Sequence, residues 1–222
     1  MLVACWSVKG GSGTTVVAAA LALSLARRDE GALLVDLAGD VPAALGCPEP
    51  TGPALAEWLA AGPEVEPDAL GRLEVDAGPG LAVLPLGGPL PAASEERAAV
   101  LAGTLAGDRR SVVVDCGSSM SATGLALAAA AGLSLLVVRP CYLALRRALH
   151  APIEPSAVVL VGEPQRALHR ADVEDVLGVE VRAVVPWRPA VATAVDAGLL
   201  GRRVPVPLER ALRPLVGLVV AA

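Results

Sequence analysis

Lys9-Gly10-Gly11-Ser12-Gly13-Thr14-Thr15 is the stretch of this sequence whose residue types and spacing suit chemistry. Its glycines free the backbone to turn successive N–H groups inward. Such a run, opening onto a helix N-terminus with its favourable dipole, cradles phosphate oxygens. A hydroxyl in the first helical turn, here Thr15, suits magnesium. The competing reading is a tight glycine turn between strand and helix with no ligand, since glycine-rich turns alone are common. Lys9 adds weight to the phosphate reading. It is the one lysine among 18 basic residues, in a chain with no Phe and no Asn whose Ala, Gly, Pro, Val, Leu and Arg content looks like a GC-rich coding bias.

A loop of that kind must sit between a strand and a helix. Short apolar runs at Leu2–Val8, Ala32–Asp36, Leu81–Pro85, Ser111–Asp115, Ser134–Arg139, Ala157–Val161 and Val181–Val185 read as strands. They are apolar throughout, as expected of parallel strands covered on both faces. Helices are expected at Thr14–Arg28, Ala54–Ala61, Ser94–Leu105, Ser121–Ala131, Tyr142–His150, Arg170–Leu177, Ala190–Leu199 and Leu208–Val220. The alternation predicts an α/β fold: a doubly wound, mostly parallel sheet with helices on both faces. Pro/Gly-rich stretches at Gly46–Pro53, Gly62–Pro67 and Pro85–Pro91 read as surface loops too short to divide two cores, so residues 1–222 are expected to form one nucleotide-binding domain.

A net charge of -5 and a pI near 5.1 argue against a protein held to nucleic acid or anionic lipid by overall basicity. Cys5, Cys47, Cys116 and Cys141 are too scattered for a zinc site or a disulfide framework and read as reduced, buried thiols. The apolar run Ala122–Val138 is broken at Gly124, Gly132 and Ser134, which suits a helix followed by a buried strand better than a membrane span. Met1–Val8 lacks a basic start, so a secretory leader is not expected and the setting reads as cytoplasmic.

The glycine loop resembles the deviant Walker A motif, K-G-G-x-G-K-T, of the MinD/ParA family of P-loop ATPases. In that family the first lysine reaches the nucleotide of a facing subunit, and the second holds phosphates within its own. Lys9 matches the first. Thr14 stands where the second would be. Leu33-Leu34-Val35-Asp36 is similar to the family's second strand, and Val112-Val113-Val114-Asp115 to its Walker B strand, with Asp115 near magnesium through water. Val184-Val185-Pro186-Trp187 with the helix after it resembles the segment that passes the base. The resemblance implies ATP and Mg as cofactors. Gly10, Gly11, Ser12, Gly13, Thr14, Thr15 and Pro186 would bind the nucleotide, Thr15 and Asp115 the metal, and Lys9 and Asp36 would serve catalysis. It also implies a homodimer that recruits a protein partner. The missing lysine and the run Leu34–Asp40 place the similarity nearest the degenerate-loop pilus-assembly and septum-positioning branch (TadZ/CpaE-like).

The pattern breaks in three places. Thr14 removes a cation from the phosphates. Ala38 occupies the position of a water-positioning acid, with Asp40 two residues on as a substitute or as a solvated turn residue. Val161-Gly162-Glu163-Pro164 lacks the asparagine that reads adenine in many relatives, while Arg139-Pro140-Cys141-Tyr142 either shapes the site from the side or merely ends a strand. Two hypotheses follow: a positioning ATPase (septum, pilus or secretion machine, chromosome or plasmid partitioning) with slow or absent hydrolysis, and a nucleotide-independent scaffold of the same fold. A ligase of dethiobiotin-synthetase type or an iron–sulfur reductase relative is the more distant third.

Scattered arginines at 139, 146, 147, 202, 203, 210 and 213 read as solvated faces, leaving weak nonspecific DNA binding as the alternative. Leu208–Ala222 invites comparison with a membrane-targeting helix. Interruption at Pro214 and the lack of an aromatic anchor favour a helix packed on the domain. His150 and His169 stand alone, and Trp58 and Trp187 are expected to pack.

Overall fold

The computed structural model describes residues 1–28, 30–61, 66–118 and 121–221. In chain order the elements are β1 (Leu2–Trp6), α1 (Thr14–Leu25), β2 (Ala32–Asp36), α2 (Val41–Leu45), α3 (Leu55–Ala60), a 3-10 turn (Pro67–Leu73), β3 (Val75–Asp76) and β4 (Leu81–Leu84). There follow α4 (Glu95–Ala106), β5 (Ser111–Asp115), α5 (Ala122–Ala130), β6 (Leu133–Val138), α6 (Tyr142–Ala148), β7 (Ala157–Gly162), α7 (Arg170–Leu177), β8 (Val181–Pro186), α8 (Pro189–Asp196) and α9 (Val206–Ala221). Residues 62–65 of the expected Gly62–Pro67 loop lie outside the described residues.

The strands form one sheet in the order β3-β4-β2-β5-β1-β6-β7-β8, parallel except where β3 pairs antiparallel with β4. The alternation of core faces explains why the strands read as unbroken apolar runs. Val3 and Cys5 of β1 join the core beneath α1, α2 and α9, while Leu2, Ala4 and Trp6 join the core beneath α3 to α7. Connections from β1 run one way to β2, and the chain later crosses back past β1 to β6. The crevice at the carboxyl ends of β1, β5 and β6 is therefore a topological switch point, where open α/β sheets bind ligands.

Several expectations shift. β1 stops at Trp6, because Ser7 turns to bond Gly117 O through its N–H (3.0 Å) and Lys9 O through its hydroxyl (3.2 Å). β8 is covered on one side only: Arg182 and Val184 are exposed, with a bulge between its Val181 and Ala183 pairings to β7. α9 continues through Pro214 and docks Leu208, Leu212, Leu215, Val216 and Val219 against α1 and β8. Trp58 packs, with Arg97 stacked 3.5 Å over its ring, but Trp187 stays 43 % exposed. Cys5 and Cys116 are buried, Cys47 and Cys141 half-buried, and all four are free thiols. His150 and His169 are exposed. Ala122–Val138 is α5 and β6 around a turn at Gly132, and no helix among the described residues is long and apolar enough to cross a membrane.

Candidate functional site

The glycine loop leaves the end of β1 and delivers the chain to α1. Gly11 and Gly13 take φ values of +73° and +92°, the left-handed region where a side chain is strained. Gly13 is the cap residue of α1 and offers no side-chain bond. The first helical N–H groups therefore have no side-chain cap, and no acidic residue sits in the first turn. Within the loop the Ser12 hydroxyl donates to Lys9 O at 2.7 Å, which fixes its curl. Among the described residues Lys9 Nζ reaches only Gly10 O, at 3.5 Å.

Above the loop lies an open cavity of about 860 Å³, within the range of small-molecule sites. Gly10 to Thr15, including Ser12 and the buried Thr14, form its floor. Ala38 and Asp40 from the β2–α2 loop, Gly117 and Ser118 after β5, and Val195 and Asp196 of α8 form its walls. A smaller cleft of about 160 Å³ shares Gly13, Val16, Val195 and Asp196 with it and extends to Pro186 and Trp187 after β8. Together the two run from the glycine loop to Pro186 and Trp187, with Arg139, Arg188 and Asp196 among the valines of the smaller cleft.

Asp36 and Asp115 end neighbouring strands in register, both fully buried behind this cavity. Asp36 spends its carboxylate on the loop that follows it. Oδ1 accepts the N–H groups of Ala38 (2.9 Å) and Gly39 (2.7 Å), and Oδ2 that of Val41 (3.2 Å). Burial still pushes its pKa up, against those three bonds. Expected among the catalytic residues, Asp36 does not reach the cavity wall; it shapes the loop that carries Ala38 and Asp40. Asp40 is exposed on that wall, and as the residue before α2 it makes no capping bond.

Asp115 differs. Oδ1 accepts Gly117 N–H at 3.0 Å, but Oδ2, buried near the Thr15 hydroxyl, has no hydrogen-bond partner among the described residues. Burial pushes its pKa to about 7; the Thr15 hydroxyl and Gly117 N–H pull it back, and the negative charges of Asp36 and Asp40 add to the rise. An orphaned carboxylate oxygen behind a hydroxyl, with further carboxylates near, lacks a cation. Hard oxygen donors in this number fit magnesium, which is held by few protein groups together with substrate phosphates. Among the described residues no three or more His, Cys, Asp or Glu converge into an all-protein metal cage.

The floor of the cavity and the strand ends are legible in the sequence; the wall built by α2 and Ser118 is not. Val195 and Asp196, by contrast, stand on α8, the helix expected to pass the base. Arg139, noted as a side wall, lines the small cleft and pairs with Glu163 at 2.7 Å.

A family model described as cellulose biosynthesis protein BcsQ matches residues 1–172. No curated protein sequence matches the chain. Among solved structures, the fold is similar to a ParA family ATPase from Chlorobium tepidum TLS, with a TM-score of 0.75 and 20 % identity over 99 % of this chain and 97 % of that one. It is similar to the septum site-determining protein MinD of Pyrococcus horikoshii OT3 complexed with Mg-ADP, with a TM-score of 0.78 and 18 % identity over 98 % and 95 %. It is similar also to the MinC:MinD cell division protein complex of Aquifex aeolicus, with a TM-score of 0.79 and 19 % identity over 100 % and 96 %. At these identities the likeness is one of fold.

Proposed function

We propose that this chain, which belongs to the BcsQ family of MinD/ParA-like P-loop proteins, binds a nucleoside triphosphate with magnesium and works as a nucleotide-dependent dimer in spatial positioning of a cellular machine. One observation carries the reading: the uncapped N-terminus of α1, behind a glycine loop with two left-handed glycines, opens onto a cavity of about 860 Å³. Residues 1–222 act in it as one nucleotide-binding unit. The N–H groups from Gly10 to Thr15 hold the phosphates. Thr15, and Asp115 through water, hold magnesium, which when bound offsets phosphate charge. Pro186 and Trp187 border the base. ATP is the nucleotide that the motif resemblance and the Mg-ADP of the Pyrococcus horikoshii relative favour.

Hydrolysis is slow or absent. An attacking water needs an acceptor aligned with the γ-phosphate. Ala38 has no such group, and its Cβ packs so close to Gly117 that a Cβ there would stand 3.2 Å away. Thr14 supplies no cation for the developing charge. The same two residues favour a second reading, a scaffold that dimerises and recruits a partner without nucleotide. In either case the partner belongs to a septal, pilus, secretion or partitioning apparatus.

Calorimetry and thermal shift with Mg-ATP test the proposal. Micromolar or weaker binding with turnover far below that of ordinary P-loop ATPases supports it. No heat and no stabilisation at millimolar nucleotide refutes it in favour of the scaffold, and fast turnover lost on Asp115→Ala refutes the slow-hydrolysis part.

A further inference from the structure

The large cavity and the small cleft meet at a junction with a single polar side chain. Gly10, Gly11 and Ser12 of the glycine loop line only the large cavity, and Arg139, Pro186, Trp187 and Arg188 line only the small cleft. Gly13, Val16, Val195 and Asp196 line both. A ligand that runs from one to the other passes between these four. Two are valines and one is a glycine, so Asp196 alone meets it with a polar group.

Helix α8 sets this order. Arg188 caps its start and Asp196 is its last residue, which puts the two about 12 Å apart along the axis. The cation stands at the cleft and the carboxylate at the junction. Helix stability does not call for that carboxylate, because the last turn of a helix carries partial negative charge and favours cations. Asp196 is exposed, and among the described residues its side chain has no hydrogen-bond or ion-pair partner.

A nucleotide has its parts in fixed order: phosphates, sugar, base. With phosphates on the N–H groups of the glycine loop and the base beside Pro186 and Trp187, the sugar falls at the junction. A ribose brings two adjacent hydroxyl donors, and an ionised carboxylate only accepts, through two oxygens. Dinucleotide-binding folds hold the ribose 2′-hydroxyl with an acidic residue for the same reason.

We propose that Asp196 is the sugar-reading residue of this site and that it selects ribonucleotides over 2′-deoxyribonucleotides. The proposal rests on the nucleotide-binding reading above and adds the group that holds the ribose.

Calorimetry with Mg-ATP and Mg-2′-dATP on the full chain, wild type, Asp196→Ala and Asp196→Asn, tests it. The wild type binds ATP about ten-fold more tightly than dATP, the worth of one hydrogen bond to a charged group. Asp196→Ala brings the ratio to within about two-fold, and Asp196→Asn, which keeps the shape and one acceptor oxygen, leaves it in between. The ratio is the readout because loss of a negative charge shifts both nucleotides together, whereas only a group that touches the 2′-hydroxyl separates them. Equal affinity of the wild type for the two, or an unchanged ratio in the variants, overturns the proposal and leaves the nucleotide site standing. Should Asp196→Ala fold poorly, an unchanged ratio in Asp196→Asn overturns it alone. Failure of both nucleotides to bind the wild type overturns the proposal together with the reading beneath it.

Discussion

The two loops that face each other across the cavity make their chemistry from different materials. The β1–α1 loop works through its backbone: N–H groups, left-handed glycines and the end of a helix. The β2–α2 loop depends on side chains, and there Asp36 is consumed by Ala38, Gly39 and Val41 while Ala38 contributes nothing. A backbone cradle tolerates the exchange of a side chain such as Thr14. Chemistry that resides in one carboxyl group is lost with it. On the proposed reading binding and hydrolysis are therefore separable: the glycine loop has what binding needs, and the opposite loop lacks the side chain that hydrolysis needs.

Asp115 gives the sharpest test, because it stands between the two loops. Its folded pKa near 7 lies above the ordinary carboxylate value near 3.9. The folded state therefore keeps a proton that the unfolded state has released. The associated stability is fully present below about pH 4 and is lost as pH rises through about 7. Asp36, also raised, acts in the same direction. Without nucleotide, wild-type Tm should fall between pH 5 and pH 8. Asp115→Asn should remove most of that fall and raise Tm at pH 8 by roughly 5 °C or more, with little change at pH 4. Scanning calorimetry at the two pH values checks it. Equal Tm shifts at both would mean that the charge is not the cause.

Next in size is Thr14→Lys. Thr14 lines the cavity floor between Gly13 and Thr15, and a lysine there places an ammonium against the phosphates without touching the opposite loop. A charge-assisted contact of this kind tightens triphosphate binding by roughly ten-fold. Turnover stays low, because Ala38 is unchanged. A variant that both binds tighter and hydrolyses quickly would break the separation of the loops.

The contrast between the loops also explains what was legible in the sequence. β2 and β5 were bounded correctly because each apolar run ends in an aspartate, and α7 because the helical pattern closes at Gly178. The glycine loop was legible because its chemistry lies in consecutive residues. α2 has too few turns to show a period, and β3 has two residues. The engagement of Asp36 depends on how the following loop curls, and the pairing of Arg139 with Glu163 on two strands being neighbours. Periodicity carries neither. Trp187 was expected inside because tryptophan usually is, but it lies beyond the edge strand, where no further strand covers it.

The smallest effect on the monomer should come from Lys9. Among the described residues its ammonium makes one long contact, 3.5 Å to the carbonyl next to it. Lys9→Ala should therefore leave the unfolding free energy within about 0.5 kcal/mol of wild type, the range of surface substitutions away from buried or paired groups. Yet it is the sole lysine in a chain whose other cations are arginines, and a compact ammonium on a flexible stem is not interchangeable with a guanidinium. The proposed dimer gives such a side chain a role outside its own fold, at the nucleotide of a facing copy. Lys9→Ala should then lower dimerisation in the presence of triphosphate and change nothing in its absence. Sedimentation of wild type and variant, each with and without magnesium nucleotide, separates the readings. A wild-type dimer that forms equally well without nucleotide, and is untouched by Lys9→Ala, leaves the β1–α1 loop with no more function than the loop opposite and makes the scaffold reading the correct one.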